Sequence, residues 1–201
     1  MRKNEKIEWM DLWWDDADAE GKRLLIIGDS ISRDGYYPVV CEHFKGRYHV
    51  DRCSTSAVPD APVYYSLLDL FLRRPEFDYE AVSINIGPHG TYIPDGEFCE
   101  HIKKVIDYIR SIKPDIKIIL CTVTPNRVAP LDENGFGEKN KIYFARGEIY
   151  KKIGAEQGLT VVDFYREIID HKIMNSDGIH FRQDGYQVLG NALIKGFEKI
   201  L

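Results

Sequence analysis

Arg23-Leu24-Leu25-Ile26-Ile27-Gly28-Asp29-Ser30-Ile31-Ser32 is the stretch that decides the fold of this chain. An apolar run of strand length ended by glycine suits a strand covered on both faces, not one with a wet side. Three more runs of this kind follow: Ala81-Val82-Ser83-Ile84-Asn85-Ile86 before Gly87, Ile116 to Val123 before Thr124-Pro125, and Leu159-Thr160-Val161-Val162 before Asp163. Tyr48-His49-Val50 is a weaker candidate whose alternation with polar residues predicts an edge strand. Between the runs lie helix-period segments at about 36–45, 62–73, 97–112, 138–157 and 184–200. The alternation predicts an α/β protein: a doubly wound, three-layer α/β/α domain around a five-stranded parallel sheet. Parallel neighbours need crossovers, and right-handed crossovers cover both faces.

At 201 residues, 44% apolar and 29% charged, the chain has the size and composition of one folded core rather than a disordered polymer. Residues 21–201 read as that single domain, preceded by an acidic, aromatic arm over residues 1–20. Trp9, Trp13 and Trp14 are spaced to line one face of a short helix. That arm reads as a flap packed on the domain, with a wall of the binding site or a homo-oligomer contact as the alternatives. The net charge is −5 and the Lys and Arg residues are scattered, so nucleic acid is not an expected partner. No run is long and apolar enough for a membrane span, and the charged, Trp-rich start is unlike a secretory signal, which predicts a cytoplasmic protein. Cys41, Cys53, Cys99 and Cys121 lack metal-ligand or CxxC spacing and read as free buried thiols. Pro125 to Lys141 is the longest loop-like stretch, a lid or an insertion.

In a doubly wound sheet, ligands bind beyond the carboxyl ends of the strands, so the residues after each strand carry the function. A serine hydroxyl is a poor nucleophile until a base takes its proton and a third group orients that base. Ser30 opens a helix directly after a buried strand, where unpaired backbone N–H groups suit an oxyanion; the plainer reading is a helix N-cap. Asp177 and His180 stand three residues apart in the loop before the last helix, close enough for the carboxylate to fix the imidazole as a base. Taken alone, that pair reads equally as a metal half-site or a surface loop, but no further ligands of clear spacing accompany it, so no metal is expected.

These residues resemble the GDSL, or SGNH, hydrolases, serine esterases and acylhydrolases on a flavodoxin-like sheet. The likeness rests on Gly28-Asp29-Ser30-Ile31-Ser32, on Asp177-Gly178-Ile179-His180 and on the trailing Phe181-Arg182-Gln183-Asp184-Gly185-Tyr186, and it spans residues 22–200. It implies Ser30 as nucleophile, His180 as general base and then acid, and Asp177 as the orienting carboxylate, with no cofactor. Two blocks depart from the family pattern. Where the family usually ends its third strand with Gly-x-Asn-Asp, this chain has Gly87-Pro88-His89-Gly90, so an imidazole N–H of His89 stands in for the asparagine amide. Where the family supplies a glycine N–H after its second strand, Cys53-Ser54-Thr55-Ser56 has none, leaving a backbone N–H near Ser54 as the donor.

Other candidates have plainer roles. Asp29 orients the nucleophile loop or caps the helix, and Arg127 reaches an anionic or sugar substrate or is an exposed loop arginine. Tyr36 and Tyr37 read as packing, and Asp163 as a helix cap. The expected substrate is a small-molecule or carbohydrate ester with a short acyl group. The alternatives are a silent ligand-binding member and a thioesterase or lysophospholipase using the same three residues.

Overall fold

A computed structural model describes residues 7–201, so the first six residues of the arm lie outside the described part. The strands are β1 (Met10–Trp13), β2 (Lys22–Gly28), β3 (His49–Thr55), β4 (Asp78–Ile84), β5 (Lys117–Cys121) and β6 (Thr160–Val162). The α-helices are α1 (Tyr37–Phe44), α2 (Pro62–Leu72), α3 (Asp95–Ile112), α4 (Asn140–Gln157), α5 (Phe164–Asp170) and α6 (Gln183–Ile200). The strands form one sheet in the order β1-β3-β2-β4-β5-β6. β2 to β6 run parallel, as the alternation predicts. One apolar layer packs beneath α2, α3 and α4, and a second beneath α1, α5 and α6. The architecture is therefore three layers, α/β/α.

The sheet has six strands and not five. The arm does not form a Trp-lined helix: Met10–Trp13 is a strand that pairs antiparallel with β3, Met10 opposite Thr55 and Trp13 opposite Arg52. Tertiary pairing overrides the local pattern here, because β3 would otherwise expose a row of unpaired N–H and C=O groups. For the same reason the expected edge strand at Tyr48-His49-Val50 is an inner one, running on through Thr55 between β1 and β2. Its polar residues are matched inside the protein. Buried Arg23 donates to Asp51 Oδ1 at 2.9 Å and also to the carbonyls of Asp15 (3.0 Å) and Asp16 (2.7 Å), pinning the end of the arm.

Two helical features differ from the periodicity. Ser32–Tyr36 is a π-helical turn leading into α1, and α5 is a short helix capped as expected by Asp163, whose Oδ1 accepts from Arg166 N at 3.2 Å. Seven residues are too few for a 3.6-residue period to register. All four cysteines are free thiols. Cys53 and Cys121 are buried, and burial pushes the Cys53 thiol up to about 12. Among the described residues, no helix is long and apolar enough to cross a membrane.

Candidate active site

The strand order reverses on either side of β2, which lies between β3 and β4, and the carboxyl ends of β2 and β4 flank that crevice. The chain leaves β2 at Gly28, where a Cβ would lie 2.6 Å from Ser32 Oγ, so glycine is what the tight turn admits. Asp29 is buried. Its Oδ1 accepts the Ile31 N–H at 2.8 Å and its carbonyl accepts the Ser32 hydroxyl at 2.7 Å. Helix begins at Ser30, so the Ser30 N–H is among the donors that a helix start leaves without an internal partner.

Ser30 Oγ lies 2.8 Å from His180 Nε2, and His180 Nδ1 lies 2.8 Å from Asp177 Oδ2. An ionised carboxylate only accepts, so Nδ1 carries the proton and Nε2 presents its lone pair to the Ser30 hydroxyl. Asp177 Oδ1 accepts from the backbone N–H groups of Ile179 (2.9 Å) and His180 (2.8 Å). Partial burial pushes the Asp177 carboxyl up, but the His180 ring and these two N–H groups outweigh it and hold it down at about 2. Asp177 is thus ionised wherever the protein is folded near neutral pH.

The loop bearing Asp177 and His180 is stitched to the chain that follows β5. Gly178, at φ +91, packs so closely there that a Cβ would lie 2.8 Å from the Arg127 carbonyl oxygen. Its own carbonyl accepts the Arg127 N–H at 2.7 Å, and the Arg127 guanidinium donates to Ile173 O and Asn175 Oδ1, both at 3.0 Å. Arg127 therefore braces the loop from the protein side.

His89 stands in the loop after β4, held by a set of side chains that sequence reasoning missed. Fully buried Arg146 donates to the carbonyls of Gly87 (2.5 Å), His89 (2.7 Å) and Gly90 (2.7 Å). Tyr143 Oη donates to Pro88 O at 3.2 Å, and Tyr150 Oη accepts from Ile86 N at 3.0 Å and donates to Ile86 O at 2.8 Å. Tyr143, Arg146 and Tyr150 share one face of α4, at i, i+3 and i+7. The signal was an arginine at helical spacing between two buried tyrosines, since arginine is almost never fully buried unless paired. Gly87 is fixed by packing: a Cβ there would meet Val123 Cγ2 at 2.1 Å.

Asp29 and His89 both line a niche of about 10 Å³ with Gly28, Asn85 and Gly87. Asp29 Oδ2 has no hydrogen-bond partner there. Burial raises the Asp29 carboxyl, opposed chiefly by the charge of His89 and also by that of His180. Ser54 does not face this niche with its hydroxyl, which pairs with Ser32 Oγ at 2.8 Å. Further along, the Ser56 N–H is donated to Trp9 O (3.1 Å) and the Ala57 N–H to Thr55 Oγ1 (3.0 Å). Tyr36 and Tyr37 are buried in the layer under α1, as expected of packing residues. A cavity of about 730 Å³ lies at the opposite end of the sheet beside Lys22 and His49, away from Ser30.

Residues 26–188 match the family model described as the GDSL-like lipase/acylhydrolase family. No curated protein matches the chain by sequence. Among solved structures, it is similar to a member of the lipolytic protein G-D-S-L family from Veillonella parvula (TM-score 0.69, 13% identity, 89% of this chain and 100% of that one). It is also similar to Axe2, an acetylxylan esterase from Geobacillus stearothermophilus (0.68, 17%, 89% and 94%), and to the acetyl xylan esterase AlAXEase (0.70, 18%, 90% and 100%). At such identities the likeness is one of fold.

Proposed function

The chain belongs to the GDSL-like lipase/acylhydrolase family and is an ester-hydrolysing enzyme, and we propose that Ser30, His180 and Asp177 are the residues that carry its reaction. The observation behind this reading is the unbroken line of 2.8 Å contacts from Ser30 Oγ through His180 to Asp177 at the sheet's crevice. Ser30 Oγ attacks the ester carbonyl while His180 Nε2 takes its proton, and Asp177 stabilises the imidazolium that results. His180 then gives that proton to the leaving alkoxide. Water, activated by the same imidazole, attacks the acyl-serine and regenerates Ser30.

The tetrahedral oxyanion is held by the Ser30 N–H and by an imidazole N–H of His89. Asp29 lines the same niche as His89 and orders the nucleophile turn through the Ile31 N–H. Ser54 supports the nucleophile turn through the Ser32 hydroxyl, and Arg127 supports the loop of Asp177 and His180. No step calls for a metal or cofactor. The substrate is a small-molecule or carbohydrate ester with a short acyl group. O-acetyl groups on sugars are the reference against which longer acyl groups are compared, since two of the similar structures are acetylxylan esterases by name.

The test is hydrolysis of p-nitrophenyl acetate by the parent, Ser30→Ala and His180→Ala, with folding checked by circular dichroism. Loss of turnover in both variants is expected, and so is labelling of Ser30 by an alkyl phosphonate. An inert parent whose Ser30 resists the phosphonate rules the reading out.

A further inference from the structure

The segment shared with the family begins at residue 26, yet the arm before it helps to build a cavity beside His89. This cavity, about 270 Å³, is lined mainly by Trp9, Met10, Val58, Ala61, Val63 and Tyr92. Its one carboxylate, Glu8, accepts the Ser56 hydroxyl at 2.6 Å. Trp9 is a fixed wall. Its N–H donates to Ser56 Oγ at 2.9 Å, its carbonyl accepts the Ser56 N–H at 3.1 Å, and the Arg33 guanidinium covers its ring at 4.7 Å.

Three observations tie the cavity to the reacting centre. The Trp9 ring stands edge-on to His89, centroids 6.3 Å apart. Thr55 and Ala57 line both this cavity and the niche below His89. Tyr92 belongs to the same loop as His89. The chemistry then fixes which part of an ester lies here. The leaving oxygen must face His180 to receive its proton, and the carbonyl oxygen must face His89. His180 thus takes the alcohol end of the ester, and the cavity on the His89 side is the room left for the acyl chain.

We propose that the cavity between the arm and α2 is the acyl subsite, taking an unbranched apolar acyl group longer than acetyl, from butyryl to hexanoyl, against Trp9. The proposal rests on the esterase reading above. The volume lies just under the ~300–1,000 Å³ of sites that take drug-sized ligands, which suits one arm of a substrate rather than a whole molecule. Acetyl would leave most of it unfilled.

The experiment compares kcat/KM for p-nitrophenyl acetate, butyrate and hexanoate in the parent, in Ala61→Phe, which fills the cavity, and in Val63→Trp, which fills it from the exposed start of α2. A buried methylene favours binding about fourfold, so the parent is expected to prefer butyrate over acetate by about fifteenfold. Either filling variant should bring that ratio close to one. A parent that cleaves acetate but shows no preference for butyrate overturns the subsite and leaves the esterase reading intact. So does a ratio that neither substitution moves. A parent inert to all three esters and unlabelled at Ser30 overturns both.

Discussion

Arg146→Ala tests whether the brace behind the His89 loop is part of the machinery. The side chain is fully buried and, among the described residues, its guanidinium forms no ion pair; it donates to three loop carbonyls and lies over the face of Phe98, 4.3 Å away. Burial accordingly pulls the Arg146 pKa down. Deleting the side chain orphans three acceptors at about 1–3 kcal/mol each, offset by relief of a buried charge that itself costs several kcal/mol. The net expected loss of stability is therefore about 2–4 kcal/mol. The larger effect is on rate. On the role proposed for His89, a relaxed loop takes its N–H away from the oxyanion, and one such donor is worth about 2.7–4 kcal/mol, or ~10²–10³ in kcat. Because the donor acts on charge that exists only in the transition state, kcat should fall and KM should hardly move. Arg146→Lys keeps the charge but not the planar fork and should fall between. Steady-state kinetics of Arg146→Ala, His89→Ala and the double variant decide the matter. The double variant should be no slower than His89→Ala alone, because one donor cannot be lost twice. Full additivity, or an Arg146→Ala enzyme that is folded and within threefold of the parent, refutes it.

Other outcomes follow from the same geometry. Burial raises the Asp29 carboxyl against the pull of His89 and His180, so its ionisation weakens the fold as pH rises past the ordinary carboxylate range; Asp29→Asn should melt higher than the parent at pH 7 and turn over more slowly, and a lower Tm contradicts this. The Asp177 carboxyl, by contrast, is held down at about 2, so the stability it lends is lost as pH falls, and the Tm gap between parent and Asp177→Asn should close between pH 3.8 and about 2. Gly87→Ala forces a Cβ to 2.1 Å from Val123 Cγ2 and should cost about 1–3 kcal/mol in chemical denaturation, with recovery in Gly87→Ala/Val123→Ala; a neutral single variant speaks against the packing argument. If the arm makes a homo-oligomer contact, it pairs the outer strand β1, where Met10 and Trp13 are exposed, and light scattering then finds a dimer that Trp13→Lys dissociates; a monomeric parent disposes of that alternative.

What the sequence made legible was chemistry written within a few residues. A buried strand running into Gly-Asp-Ser, and an aspartate three residues before a histidine, fix local geometry wherever they occur, and both stand where the pattern put them. What stayed hidden depends on partners distant along the chain. The spacing of Trp9, Trp13 and Trp14 fits a helix as well as anything else; only the open edge of β3, forty residues on, makes Met10–Trp13 a strand. Asp51 and Arg52 disguise β3 as an edge because their partners, Arg23 and Asp11, lie in other elements.

Arg146 illustrates the deeper reason. Its partners are carbonyl oxygens of the main chain, which every residue carries, so no complementary side chain advertises the contact. The consequence reaches past this one residue. If the imidazole of His89 takes the place of an asparagine amide, as proposed, the loop must hold that ring to within a fraction of an ångström, and backbone carbonyls gripped from one helix face do so whatever side chains the loop bears. Side chains of the loop are then free to differ while its path stays fixed. That division of labour makes a histidine in this block compatible with an intact site, and it places the burden of proof on α4 rather than on the loop itself.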